Sequence, residues 1–396
     1  MLSNGYILIL IWVGVIAALA VMAPAIVYRT ELVNGEKARR VTPLFAVVAV
    51  LPLVVWAGFR GYVGDTGAYM QAFADMPTSF SGISSYIDGV NKDRGFYFVS
   101  AVIKCIIGNR DTIYFIIAAA VQCYLLFKIY RKYSTSFAIS FFLFIASTDY
   151  VSWIFNGMRQ FVAVTITVAC FPWILQKKYV KAIIIILIAS LFHQSALLVL
   201  PFVFIVQGKA WNKKTLLFII VVVMAVVFAD RFTDILDNML AETQYENVVT
   251  DWEQFQDDGT NILRVLVYSV PAILSLIGIK YVREADDPVI NICTNMSIVA
   301  SGLYVVSMFT SGIFIGRLPI YFSVYNKISK SRFHDEDIIG RVYECLLQIY
   351  AASRTKEDGK FYTFACVVKL IAEVIEPFRG TVFEIKTRSL IQNIAA

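Results

Sequence analysis

Residues 155–202 read FNGMRQFVAVTITVACFPWILQKKYVKAIIIILIASLFHQSALLVLPF. Two apolar runs, at about 157–175 and 182–207, stand on either side of a basic segment containing Lys177, Lys178 and Lys181. A helix needs about 20 apolar residues to cross a ~30 Å hydrocarbon core at ~1.5 Å per residue. The first run is near that length. The second has 26 residues; it crosses once, or crosses twice as two short arms. Similar runs fall at about 5–28, 42–59, 112–129, 136–152, 215–229, 261–279, 289–309 and 313–325. The first run has no small-residue cleavage site after a basic start, so it reads as a retained span rather than a signal peptide.

Composition points the same way. Of 396 residues, 58% are apolar, 14% aromatic and 16% charged, and the mean hydropathy is +0.68. A soluble globule carries roughly 25% charged residues. The shortfall excludes a soluble enzyme, a disordered chain and a disulfide scaffold. The expected fold class is an all-α polytopic membrane protein. The six cysteines contain no CxxC pair, and the two histidines are too few for a multi-histidine metal centre. The net charge of +6 is no sign of nucleic-acid binding, because Lys and Arg accumulate on cytoplasmic loops of membrane proteins.

The average hides a break. Residues 327–396 hold 20 charged residues in 70, whereas residues 1–326 hold 44. One composition suits lipid and the other water. The chain therefore divides into a membrane domain, 1–326, and a charged tail, 327–396.

Orientation follows from the basic loops. Arg29, Lys37, Arg39 and Arg40 form one cluster, and Lys128, Arg131 and Lys132 another. Lys177, Lys178 and Lys181 follow, then Lys209, Lys213 and Lys214, then Lys280 and Arg283. All lie on the cytoplasmic side if Gly95–Gly108 is re-entrant or interfacial and 182–207 crosses twice. About 11 transmembrane helices result, with the N-terminus outside and a short helical tail in the cytoplasm. Two large loops, Arg60–Arg94 and Asp230–Asn261, then face outward. The second holds nine acidic residues against Arg231 alone. It is a solvated cap, or a portal where Tyr245, Trp252 and Phe255 stack on pyranose rings.

Ionisable and polar residues at membrane depth are costly and mark functional sites. Under this topology Arg60, Asp65, Asp93, Asn156, Arg159, Gln160, His193, Arg264 and Arg317 all fall at or near the outer face. Arginine binds phosphate oxygens through a planar fork and stays charged. Aspartates orient sugar hydroxyls or act as bases, and histidine moves protons near neutral pH. The set therefore suits a phosphate or diphosphate substrate. Each residue also has a structural alternative: Arg60 or Arg264 as an interfacial anchor, Asp65 as a helix cap, Asp93 in a loop pair with Arg94, Arg317 in an interhelical pair. No GxxxxGK[ST] or GxGxxG motif is present.

These residues carry a resemblance. WAGFRGYVGDTGAYMQAF (56–73), DRGFYFVSAVIK (93–104), the 155–202 stretch and GRLPIYFSVYN (316–326) resemble the EpsG family of Wzy-like exopolysaccharide polymerases. The most specific part pairs Asn-x-x-Arg-Gln at a span start with a downstream Phe-His-x-Ser. The resemblance implies a multi-pass protein of the bacterial inner membrane in an exopolysaccharide or capsule pathway. It implies polymerisation, at the outer face, of oligosaccharide repeat units carried on undecaprenyl diphosphate. No cofactor, nucleotide or metal is implied. Implied partners are the lipid-linked oligosaccharide, the bilayer, and a flippase and chain-length regulator of the same pathway. Family motif positions fall on Arg60, Asp65, Arg159, Gln160, His193 and Arg317. The implied catalytic group is Asp65, His193, Arg159 and Arg317. The substrate-binding group is Arg60, Asp93, Asn156, Gln160 and Arg264. Asp93-Arg94-Gly95-Phe96 departs from the family, where Glu precedes the Gly-Phe. The competing classes are a flippase of lipid-linked sugar, which internal inverted repeats would favour, and a polysaccharide ligase.

The tail resembles something else. HDEDIIGRVYECLLQIYAAS (334–353) and EDGKFYTFACVVKLIAEVIEPFRGTVF (357–383) are similar to the approach to the catalytic domain of the N-6 adenine DNA methyltransferase subunit of type I restriction systems. The glycine loop for S-adenosylmethionine and the adenine-binding Asn-Pro-Pro-Tyr/Phe motif of that family are absent, and Phe364 stands where Pro is expected. No methyltransferase activity and no nucleic-acid partner are expected. Helical spacing covers 340–352 and 365–375. Family members usually continue with hydrophobic sequence after the arginine span, so the altered C-terminus leaves the activity of this copy open.

Overall fold

The computed structural model describes residues 2–33, 35–134, 136–228 and 259–329. The acidic-loop aromatics Tyr245, Trp252 and Phe255, and the tail helices at 340–352 and 365–375, lie outside the described residues. Within these residues the fold is helical, with one correction to the all-α expectation. Tyr28–Val33 and Glu36–Val41 form an antiparallel hairpin in the register Tyr28↔Val41 to Val33↔Glu36. Gly35, with φ +90°, supplies the left-handed backbone that a tight hairpin turn needs.

Four helical segments are long and apolar enough to cross a membrane: Gly5–Met22, Asp111–Tyr133, Met158–Leu175 and Pro288–Met308. Two bent pairs raise the number to six. Phe137–Ala146 with Asp149–Phe155 bends by 76°, and Ile262–Ile277 with Ile279–Ala285 by 71°. Pro43–Gly58, Tyr179–Phe192 and Gln194–Ile205 are shorter apolar segments. The apolar runs of the sequence thus outnumber the span-length helices. The 313–325 run differs most. It is not one helix but a 3-10 turn, Ile315–Arg317, followed by the short helices Ile320–Ser323 and Asn326–Ser329. Pro319 interrupts it. Residues 319–328 are buried, and irregular backbone at membrane depth is tolerated where protein surrounds it.

The run 182–207 is a helical hairpin. Tyr179–Phe192 stops at His193, whose backbone is extended (φ −159°, ψ 120°). The chain returns through the 3-10 turn Gln194–Leu198 and the helix Val199–Ile205. The Tyr179 and Phe204 rings lie 4.9 Å apart, and Gln207 Nε2 donates to the Ile174 carbonyl at 3.1 Å. The two ends of the hairpin therefore meet, and His193 is at its tip. A 14-residue arm reaches only about 21 Å, short of a full crossing. Arg94–Ile107, also of 14 residues, buries Phe96, Ser100, Ala101 and Lys104 on one face and exposes Phe98, Val99 and Ile106 on the other. Gly95 lets it touch the hairpin arm: a Cβ there would lie 2.7 Å from Leu191 Cβ.

Contacts draw the basic loops together at one end. Arg131 pairs with Glu31 and donates to the Val41 carbonyl, and Arg40 Nε donates to the Lys132 carbonyl at 2.9 Å. Tyr133 packs edge-on against Phe171, centroids 5.1 Å apart, which joins this group to the Lys177 segment. Lys209 faces Asp286 at 3.6 Å, and Arg283 Nη2 donates to the Trp211 carbonyl at 3.2 Å. Burial alone would push the Glu31 carboxyl up, but Arg131 and Arg29 outweigh it and hold the group below the usual range.

Pro288–Met308 is the central helix. Its polar side chains close backbone gaps in its neighbours: Asn291 Oδ1 accepts from Ala210 N at 2.9 Å, and Asn295 Nδ2 donates to the Val206 carbonyl at 2.9 Å. Aromatic rings fill the remaining core, with Phe127 edge-on against Phe137, Phe141 and Phe144.

Candidate functional site

Away from the basic end, four backbone segments converge. These are the loop after Pro43–Gly58, the start of Arg94–Ile107, the start of Met158–Ala169 and the tip of the His193 hairpin. The Ile315–Ser323 segment packs against them. The convergence is built on specific turns. Gly64 has φ +51°, and a Cβ there would lie 1.7 Å from Asn156 Oδ1. This close approach lets Asn156 Oδ1 accept from Asp65 N at 3.1 Å. Asp65 Oδ2 in turn accepts from Gly157 N at 3.0 Å, so a carboxylate meets the positive end of the Met158–Ala169 helix. Asp65 itself is exposed.

Arg159 lies on the first turn of that helix. Its Nη1 donates to Asp93 Oδ2 at 2.9 Å, and its guanidinium sits 5.8 Å from the Tyr97 ring centroid. Its backbone N approaches the Tyr69 hydroxyl at 3.4 Å. Burial pushes the Tyr69 phenol up, and the charge of Arg159 only partly opposes this. Gln160 Nε2 donates to the Arg317 carbonyl at 3.2 Å, which ties the same helix to the Ile315–Arg317 turn. The Arg317 side chain is exposed. His193 Nδ1 lies 2.6 Å from Ser195 Oγ, which lies 2.9 Å from the Tyr321 hydroxyl.

Asp65, Asp93, Asn156, Arg159, Gln160, His193 and Arg317 thus form one connected group. Arg60 borders it in a clamp. Its Nε and Nη1 donate to the carbonyls of Ala57 and Phe155 at 2.6 and 3.1 Å. The guanidinium stacks over Phe115 and Phe155, 4.4 and 5.0 Å from the centroids. Only the buried Nη2 lacks a partner among the described residues.

Arg264 belongs to a different centre. Its Nη2 donates to both oxygens of Asp149 at 2.9 and 2.8 Å, and Tyr268 donates to Asp149 Oδ2 at 2.5 Å. Two charges side by side at membrane depth satisfy each other. Asp149 lies within the 136–152 run, and Lys104 within the Gly95–Gly108 run. Sequence reasoning missed both, although an ionisable residue in an apolar run is itself the signal. Lys104 is 2% exposed and donates to the Phe73 carbonyl at 2.9 Å and to Asn109 Oδ1 at 2.6 Å. It ties the end of the Thr66–Asp75 helix to Arg94–Ile107. Tyr321 was missed for another reason: its contact with Ser195 spans 126 residues.

Chemically, the group combines two guanidiniums that retain free N–H donors, a histidine and a carboxylate. Such donors suit phosphate-like oxygens in general. Among the described residues, no three or more His, Cys, Asp or Glu side chains gather as a metal site would require.

Two family models match the chain. The EpsG family model matches residues 44–353. The N-6 DNA Methylase model matches residues 334–389, so the two matches overlap at 334–353. The Type I restriction enzyme HindI methylase subunit of Haemophilus influenzae is 39% identical over 49 residues, 12% of this chain and 11% of that protein. The chain thus spans about a tenth of the length of that curated relative. No solved structure matches the chain. The EpsG match covers well over half of the sequence and contains every residue of the polar group. The chain belongs to the EpsG family, and it is a membrane protein of polysaccharide biosynthesis.

Proposed function

We propose that the protein polymerises oligosaccharide repeat units carried on undecaprenyl diphosphate, at the outer face of the bacterial inner membrane. The observation that carries this reading is the convergence of the Arg159 helix start, the Arg317 turn and the His193 tip away from the end that gathers the basic loops, through Gln160 and the Arg317 carbonyl and through Ser195 and Tyr321. Basic loops mark the cytoplasmic side, so the polar group faces outward.

In the proposed topology Tyr179–Phe192 and Gln194–Ile205 are two short arms of one hairpin, and Arg94–Ile107 is an interfacial helix. The N-terminus is outside and residues 327–396 form an appended cytoplasmic tail without methyltransferase function. The flippase and chain-length regulator of the pathway are the proposed partners.

In the proposed reaction, the acceptor sugar hydroxyl attacks the anomeric carbon of the donor chain. The bond between that carbon and the diphosphate oxygen breaks, and the lipid diphosphate leaves. Arg159 and Arg317 take up the charge that grows on the diphosphate. One N–H of Arg159 is committed to Asp93, and a guanidinium has five. His193 accepts the proton of the acceptor hydroxyl. Asp65, with Oδ2 already engaged by Gly157 N, orients the acceptor. Asn156 and Gln160 hold the loops in place, and Arg60 and Asp93 set the walls of the site.

The test is chain extension by purified protein in liposomes given a lipid-linked repeat unit. A ladder of lengthening products supports a polymerase. Translocation of the unit without extension would indicate a flippase, and transfer of finished polymer to an acceptor a ligase.

A further inference from the structure

We propose that Tyr321 is a positioning residue for His193, acting through Ser195 to keep the imidazole proton on Nδ1. The inference rests on the reading of His193 as proton acceptor. His193 Nδ1, Ser195 Oγ and the Tyr321 hydroxyl form a chain with steps of 2.6 and 2.9 Å. A neutral imidazole carries one ring proton, and the hydrogen bond made by one nitrogen decides which nitrogen keeps it. The serine hydroxyl has a single hydrogen to give. When it points to the Tyr321 oxygen, Oγ accepts from Nδ1–H, and Nε2 keeps a lone pair for the substrate proton. When it points to Nδ1, the ring proton sits on Nε2, and that nitrogen can accept nothing. Either hydroxyl of the Ser195–Tyr321 pair can donate; the proposed arrangement is the one in which the Tyr321 oxygen accepts, whereas donation by Tyr321 to Oγ would give the Nε2–H tautomer.

The surroundings fit. Tyr321 is 1% exposed, so its ring is held by the core. It lies four residues after Arg317 on the same broken segment. One short stretch of chain therefore sets both a diphosphate ligand and the histidine. The charged groups of the polar group on these elements are Arg159, from Met158–Ala169 and paired to Asp93, Asp65, which accepts from Gly157 N, and the exposed Arg317. Both guanidiniums are donors only, so neither can draw the proton from Nδ1.

The chain has two histidines, His193 and His334, so a histidine-specific ¹⁵N label reports on this ring with one competitor. His334→Ala assigns the signals. The expected spectrum of the full-length protein has His193 as the Nδ1–H tautomer. Tyr321→Phe should move it to Nε2–H and lower kcat for chain extension by about ten-fold or more, with KM within about two-fold. Ser195→Ala should lower kcat likewise, and it supplies the readout if Tyr321→Phe folds poorly. Ser195→Thr, which keeps the hydroxyl, should restore both properties. An unchanged tautomer in Tyr321→Phe, or a shifted tautomer with undiminished kcat, would overturn the proposal. Full activity in His193→Gln would instead overturn the assignment of His193 as the base.

Discussion

The ion pair between Asp93 and Arg159 is closed on one side only. The carboxylate is 4% exposed, whereas the guanidinium, 2.9 Å away, is 32% exposed. The anion is committed to the protein and the cation keeps a face toward the site. Arg159→Lys should therefore preserve the pair and most of the stability. It should still slow chain extension by about ten-fold or more, because an ammonium lacks the bidentate fork. Arg159→Met should also lose about 3–5 kcal/mol of stability, since it strands a buried charge. Thermal unfolding in detergent beside a chain-extension assay separates the two effects. Equal stability loss in both variants would sink the distinction.

Asp149 and Arg264 should behave as scaffold. Asp149→Leu or Arg264→Met alone leaves one partly exposed charge without its partner and should lower stability, by less than the ~3–5 kcal/mol of a fully buried pair. The double variant should recover most of that loss and keep chain extension within about two-fold. A double variant that is stable but inactive would return Arg264 to the substrate-binding group.

Gly64→Ala places a methyl group where Asn156 Oδ1 now sits, in a backbone with φ +51°. Expected losses are about 1–3 kcal/mol in stability and a matching fall in activity, as the Asp65–Gly157 contact is pushed apart. Gly64→Ala with Asn156→Gly should regain part of the stability. No recovery would mean that the strain lies in the backbone alone.

These pairings show what was legible in the chain and what was not. Apolar run length gave the membrane class, and ionisable residues in or beside the runs picked out Arg159, His193 and Arg317 before any geometry. The turn at His193 came from the family resemblance; run length alone left one 26-residue span and two short arms both open. The strand hairpin was overlooked although Asn34-Gly35 is a hairpin turn signal. The short Ile315–Ser329 elements look like a span because composition reports burial, not regularity. Arg264 was grouped with the site because sequence gives depth without neighbours; its partner Asp149 lies 115 residues away.

Glu31 gives a pH-dependent test at the basic end. Its folded pKa lies below the usual carboxylate range, as burial is outweighed by Arg131 and Arg29. A depressed carboxyl adds stability above its unfolded pKa and loses it as pH falls through the folded value. Glu31→Gln should therefore lower Tm above about pH 4.5, with the gap to wild type closing on further acidification. The gap should be small and shrink in high salt, as the group is partly exposed. A gap that widens on acidification would contradict the assignment.

The central claim is that Arg159 and Arg317 hold the donor diphosphate. Its most direct test is the rate of chain extension from an undecaprenyl-diphosphate-linked repeat unit, in liposomes, by wild type, Arg159→Ala and Arg317→Ala. The account predicts a product ladder from wild type and a rate lower by about a hundred-fold or more in each folded variant. Near-full extension by both variants would contradict it.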